Sequence, residues 1–147
     1  MNTRVASVAT FLASGILLVF GGIYLFKSSF MPYHAQTIGM EWSDLDTNMQ
    51  FMILALMRAV SGGFLAVAIT IAWLQLIFNK TLHRWIPVII FWAGAVVSGA
   101  SIYATLLVRM NTDGNPPTAL AITGIGLLFI GYAFNKRAIA DDRKSRK

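Results

Sequence analysis

The segment Phe51–Phe78 reads FMILALMRAVSGGFLAVAITIAWLQLIF, and it decides the class of this protein. Its 28 residues contain a single charged side chain, that of Arg58. A helix needs about 20 apolar residues to cross the hydrocarbon core of a bilayer, so this segment is long enough to span a membrane. Three further apolar segments, at 5–26, 85–108 and 117–134, contain no charged residue at neutral pH. The sequence therefore predicts an all-α membrane protein with a bundle of four transmembrane helices.

The composition supports the same class and predicts a single membrane domain. Hydrophobic residues make up 56% of the 147 residues and charged residues 12%, about half the charged share of a typical soluble domain. We expect an external loop at 27–50 between the first two helices and a basic cytoplasmic tail at 135–147. Cysteine is absent, which excludes disulfides and thiolate metal sites.

The distribution of Lys and Arg predicts the orientation in the membrane. Nine of these residues lie near the N-terminus, between the second and third segments, or after the fourth, whereas only Lys27 and Arg109 flank the opposite side. Because cytoplasmic loops carry the excess of positive charge, both termini are expected in the cytoplasm. The basic residues at the end of the chain favour contact with anionic lipids at the cytoplasmic face over binding to nucleic acid.

Small residues recur at three- and four-residue steps along each segment and predict how the helices pack. Helices in lipid associate through close approach of their backbones, which small side chains allow. The sequence places Gly94 and Ser98 in such a row on the third segment. The row expected on the second segment comprises Ala55, Ala59, Gly62 and Gly63.

Arg58 is the most informative single residue for function. At about 100° per residue, its side chain falls near the small-residue row, so we expect it to point into the bundle. Charged residues inside a membrane usually have a partner or mark a pathway. The alternative is a position at the outer interface, where the side chain snorkels to the headgroups. Arg109 is a second basic residue at similar depth.

The external loop supplies the other candidate residues. Loops of this length are often functional. Its ring-bearing and acidic side chains, which are candidates for an ion pair with Arg58 or for a ligand site, are Tyr33, Glu41, Trp42, Asp44 and Asp46. His34 lies among them, but the spacing matches no recurring set of metal ligands, and no metal site is predicted.

Several chemistries are disfavoured by the residues present. The two histidines, His34 and His83, are expected on opposite sides of the membrane, which excludes a haem held between two helices. No segment contains the carboxylate that proton-coupled transport usually requires. No phosphate-binding loop or nucleophile motif occurs. We therefore assign no catalytic residue and no cofactor, and the sequence favours a protein that is not an enzyme.

The run Leu56-Met57-Arg58-Ala59-Val60-Ser61-Gly62-Gly63, with Met31-Pro32-Tyr33 at the exit of the first segment, resembles small bacterial four-helix membrane proteins of the DoxX-like kind. Some of those proteins are named for an association with quinone-linked oxidoreductases. The resemblance implies a bacterial inner membrane and a structurally important Arg58, and it implies no activity.

Two functions are compatible with these features. The first is a non-enzymatic accessory or assembly subunit of a larger membrane complex, with other membrane proteins as partners. The second is a protein that binds a small lipophilic ligand or is associated with a quinone, with an outer-leaflet pocket around Arg58.

Overall fold

The computed structural model describes residues 2–145, and this part of the chain forms helices and no strand. The helices are α1 (Asn2–Phe26), α2 (Pro32–Ile38), α3 (Thr47–Thr81), α4 (Ile86–Asn111) and α5 (Thr118–Ser145). A short 3-10 turn at Trp42–Asp44 lies between α2 and α3. The four helices α1, α3, α4 and α5 are long and apolar enough to span a membrane, so the predicted fold is confirmed.

α3 and α5 extend furthest beyond the apolar segments that predicted them. α3 begins at Thr47, where the carboxylate of Asp46 accepts hydrogen bonds from the backbone N–H groups of Asn48 and Met49, as expected of an N-cap. α5 continues to Ser145, and Asn135 and Ala138 in this extension are buried. Residues 135–145 therefore continue the α5 helix, so the predicted tail at 135–147 is helical over the part that the structure describes.

The four long helices alternate in direction around the bundle. α1 packs against α3 and α5, and α4 packs against α5 and, less extensively, against α3. The beginning of α1, the connection between α3 and α4 and the end of α5 lie together at one end, here called the terminal end. α2 covers the opposite end, here called the α2 end.

Small residues allow close approach between the long helices, as on α4 and α1. Gly94 and Ser98 of α4 are buried, as predicted, and a side chain at Gly94 would collide with Leu128 of α5. On α1, Ala9 and Ala13 are buried at 5% and 1% exposure. These rows pack the helices inside the chain.

The predicted packing row of α3 does not face the other helices. Ala55, Ala59, Gly62 and Gly63 are all exposed, and a side chain added at either glycine would meet nothing within 4 Å. The buried face of α3 instead carries Met57, Ser61, Ala68, Ile71, Gln75 and Phe78. The prediction was wrong because the residues of this buried face also repeat at three- and four-residue steps. Some of them form hydrogen bonds to other helices, and these bonds favour this face over the neighbouring row of smaller residues.

Buried polar side chains join α1, α3 and α5 near the terminal end. Gln75 and Asn135 pair through their side-chain amides, and the Asn135 amide donates to the Gln75 oxygen at 2.8 Å. The Thr10 hydroxyl donates to the same oxygen at 3.1 Å. Asn79 and Ser7 extend the network, since the Gln75 amide also donates to the Asn79 oxygen and Asn79 bonds to Ser7. Such bonds between helices fix their relative register inside the membrane.

Gly131 of α5 is essential to this packing. An added Cβ atom would lie 2.6 Å from the Thr10 hydroxyl oxygen, so Gly131→Ala must displace either α1 or the hydroxyl that bonds to Gln75. We expect it to lower the free energy of unfolding by about 1–3 kcal/mol, measured by thermal unfolding in detergent. The matched control is Gly126→Ala on the same helix, where nothing lies within 4 Å. Equal melting of the two variants would contradict the tight contact between α1 and α5.

Candidate functional site

α2 forms a roof over one end of the bundle. Gly39 ends this helix in the left-handed conformation that glycine adopts easily. The backbone N–H of Asn115 donates to the Gln36 side chain at 3.3 Å, which ties the roof to the α4–α5 connection. Gly114 in that connection is buried against Thr37 and the Tyr33 carbonyl so closely that no larger side chain would fit.

A groove of about 380 Å³ lies beneath this roof, between α3 and α4. α3 contributes Leu56, Met57 and Val60 to its lining. Leu56 is 61% exposed and Val60 46% exposed, so the groove opens sideways at the bundle surface. In a bilayer such an opening faces the lipid chains rather than water.

A narrower cavity of about 80 Å³ adjoins the groove and lies nearer the centre of the bundle. Its lining comes from all four long helices and reaches Ala13 of α1 and Leu128 of α5 near the middle of the membrane. The groove and the cavity share three lining residues, Tyr24, Tyr33 and Thr105. Together they form an apolar space that runs from the bundle surface to its core, and we call it the α2-end site.

The hydroxyls of Tyr24 and Tyr33 form the main polar group of the α2-end site. Their oxygens are 2.5 Å apart, so one hydroxyl donates to the other. Burial, and then the bond with Tyr24, raise the pKa of Tyr33 well above its ordinary value, which keeps this phenol neutral at any physiological pH. Because the pair has two hydroxyl hydrogens and uses only one between its members, one O–H remains to donate to a ligand oxygen.

His34 is the second polar side chain at the groove. Its Nδ1 accepts a hydrogen bond from the backbone N–H of Met31 at 3.3 Å, so the neutral ring carries its hydrogen on Nε2. Burial lowers the pKa of His34, which favours this neutral form at physiological pH. The ring packs edge-on against Phe30 and Tyr33. It is therefore a positioned N–H donor without charge.

Ser98 places an unpaired hydroxyl at the inner cavity. The residue is only 4% exposed, yet its hydroxyl bonds to no other described residue. By contrast, the Ser101 and Thr105 hydroxyls are satisfied by carbonyls of their own helix. No fully buried side-chain N or O atom in the described part of the chain lacks a partner, so the Ser98 oxygen is open to this cavity and can bond to a molecule there.

Of the residues predicted as candidates for a ligand site or an ion pair, only Tyr33 lines the α2-end site. Glu41, Trp42 and Asp44 line a separate, polar groove on the other side of α2, together with Lys27. Asp46 caps α3. Between residues 2 and 145, no three His, Asp or Glu side chains are grouped closely enough to hold a metal ion.

Arg58 lies on the exposed face of α3, so the expectation that it points into the bundle was wrong. It forms no ion pair with any acidic residue that the structure describes. Ser61 donates to the Gly21 carbonyl at 2.7 Å, and the two helices are antiparallel. Arg58, three residues before Ser61, therefore lies at the level of Tyr24, within one turn of Lys27. This depth suits a side chain that snorkels to the interface.

Arg109 is likewise exposed, near the end of α4. Neither arginine lines the α2-end site, although both flank that end of the bundle. Sequence analysis missed Tyr24 and considered the polar residues of α4 only for packing. Polar residues at seven-residue steps, Ser98 and Thr105, were the available signal. The proximity of Tyr24 to Tyr33 could be found only from the fold.

Comparisons with known proteins add no identification. The chain matches no protein family, no curated protein and no solved structure. The DoxX-like resemblance therefore stays a prediction, and the functional argument rests on the geometry of the site.

The exposed position of Arg58 yields a direct test. We expect Arg58→Ala to change the melting temperature in detergent by only a few degrees, because the side chain holds no partner in the described chain. The comparison variant is Ser61→Leu, one turn away, which loses the bond to Gly21 and places a bulky group in a fully buried position. It should melt far lower. A loss with Arg58→Ala as large as with Ser61→Leu would show that Arg58 is structural.

Proposed function

We propose that this protein binds a small, neutral lipophilic molecule in the α2-end site. The observation that carries the proposal is the apolar groove between α3 and α4 together with the adjoining cavity, to which the hydroxyl of Ser98 is open. Its groove falls in the volume range of ordinary ligand pockets, which are mostly apolar with a few placed polar groups.

The lining indicates the chemical class of the ligand. No charged side chain lines either part of the site, so a charged headgroup would lose its hydration without a compensating partner. The free O–H of the Tyr24–Tyr33 pair and the His34 Nε2–H are donors, which suit a carbonyl, ether or hydroxyl oxygen. A lipophilic quinone or a similar neutral molecule with an apolar chain satisfies these requirements.

The ligand would enter from the membrane. The groove opens between α3 and α4 beside exposed apolar side chains, and α2 closes the end of the bundle above it. A molecule dissolved in lipid could thus reach Tyr33 without crossing water.

We further propose that the α2 end faces outward from the cytoplasm of a bacterial inner membrane. The support is the excess of basic residues at the terminal end, which the positive-inside rule assigns to the cytoplasm. The α2-end site would then draw its ligand from the outer leaflet.

A second candidate function is an accessory or assembly subunit of a larger membrane complex. The observation that favours it is the exposed row of small residues on α3, from Ala55 to Gly63, where a side chain added at either glycine would meet nothing within 4 Å in the described part of the chain. Small residues on an exposed face would let a helix of another membrane protein approach closely.

The ligand proposal is tested by filling the point that the groove and cavity share. Thr105→Phe should weaken binding of a decyl-substituted benzoquinone to the purified protein by at least tenfold, measured by equilibrium titration and by the ligand-induced rise in melting temperature. The Thr105 hydroxyl bonds only within α4, so this change removes no bond between helices.

The matched control is Leu107→Phe, at an exposed position of the same helix, which should bind the quinone as the unaltered protein does. Decanoate, with a similar chain and a negative charge, should not bind. Equal quinone binding by the two variants would contradict the proposal. Mass spectrometry of the protein from its native membrane separates the two functions, since a stable protein partner without a bound lipophile would favour the subunit.

The orientation is tested with reporter fusions. A fusion after Ser145 should report a cytoplasmic position and one inserted after Gly39 an external position, because the basic residues gather at the terminal end. A signal of the opposite kind at both sites would reverse the orientation and place the ligand opening in the inner leaflet.

A further inference from the structure

We infer that a groove at the terminal end of the bundle binds the headgroup of an anionic phospholipid that carries two phosphate groups. This groove, of about 550 Å³, lies between the start of α4 and the last turns of α5. It is at the opposite end from the α2-end site and shares no lining residue with it. The inference therefore stands independently of the proposed function.

The charge of the groove is complementary to phosphate. Arg84, Lys136 and Arg143 line it, and no acidic residue does. Asp141 and Asp142 precede Arg143 on α5, outside the lining. The N-terminus of α4 begins beside Arg84 and adds the partial positive charge of its helix dipole. The groove thus concentrates positive charge from two helices at one place.

The spacing of the basic residues favours two phosphates over one. Lys136 and Arg143 are seven residues apart on α5, a rise of roughly 10 Å, and lie on the same face because two helical turns separate them. Arg84 approaches from the α3–α4 connection on the other wall. A single phosphate would engage one part of this set, whereas two linked phosphates can engage both ends.

The floor of the groove is apolar, which favours a lipid over a free anion. Val88 and Ile139 line it beneath the basic side chains. The Trp85 ring lies at its edge, with the Arg84 guanidinium 5.1 Å from the ring centroid. Tryptophan is favoured where the headgroup region meets the hydrocarbon chains. A phospholipid can satisfy the basic rim with its phosphates and the floor with its glycerol and first methylene groups.

The test compares two triple variants of the full chain in detergent, so its result does not depend on orientation. The first, Arg84→Gln, Lys136→Gln and Arg143→Gln, removes the groove charges. The second, Lys80→Gln, Arg137→Gln and Lys144→Gln, removes the same charge from exposed positions at the same end that do not line the groove. Binding of cardiolipin is measured by native mass spectrometry and by the shift in melting temperature.

We expect the groove variant to bind cardiolipin at least tenfold more weakly than the control variant, since each basic residue near a membrane surface contributes about 1 kcal/mol, roughly fivefold in affinity. Phosphatidylglycerol, with one phosphate, should bind more weakly than cardiolipin, and phosphatidylcholine should not compete. Equal loss in the two variants would show general surface attraction and overturn the site. Equal stabilisation by pyrophosphate would show a free-anion site and overturn the lipid.

Discussion

Hydrogen bonds between α1 and α3 hold this bundle in register. They are needed because apolar helices gain little hydrophobic free energy by leaving lipid to pack against one another. Ser14 donates to the Ala68 carbonyl at 2.8 Å near the middle of the pair. Ser61 bonds to Gly21 nearer the α2 end, and Thr10 bonds to Gln75 nearer the terminal end. A sliding of α1 by one turn would break all three at once. The same register brings Tyr24 to the level at which Tyr33 of α2 can bond to it.

The position of the α2-end site follows from how the helices are connected. Only four residues join α3 to α4 at the terminal end, so these two helices are close there. At the α2 end each is joined to a different helix, and the groove lies between them. α2 is too short to be stable by itself and is held by its contacts with Tyr24, Gly114 and Asn115. Both the groove between α3 and α4 and the position of α2 above it therefore follow from the order in which the helices are connected.

The fold could be predicted well from the sequence because long apolar segments show directly that the helices lie in lipid rather than in water. Apolar segments of membrane-spanning length were recognised from residue types alone. Which face of α3 packs against the other helices was not predicted, because two rows of residues on this helix have the same helical period. The choice between them depends on hydrogen bonds such as that of Ser61 to a carbonyl of another helix. A single sequence does not show which carbonyl of another helix a side chain will bond to.

The candidate site was predicted only in part for the same reason. Tyr33 was selected as an aromatic residue of a long loop, but its significance depends on Tyr24, nine positions earlier, and on the helix that turns it inward. Arg58 drew attention as the one charge in an apolar segment, yet a helix of 35 residues is longer than a bilayer is thick. Its charged residue can therefore lie at the interface while the helix still spans the membrane.

Under the proposed function, the sideways opening of the α3–α4 groove has a consequence for the affinity that the site needs. A molecule that arrives from the bilayer has already left water, so its apolar chain gains little further hydrophobic free energy on entering the protein. Occupancy then depends on the mole fraction of the molecule among the surrounding lipids and not on its aqueous concentration. The protein would then distinguish the ligand from lipids mainly through a few hydrogen-bond donors, at Tyr24, Tyr33 and His34. Lipids have the same apolar chains but present different oxygen atoms to these donors.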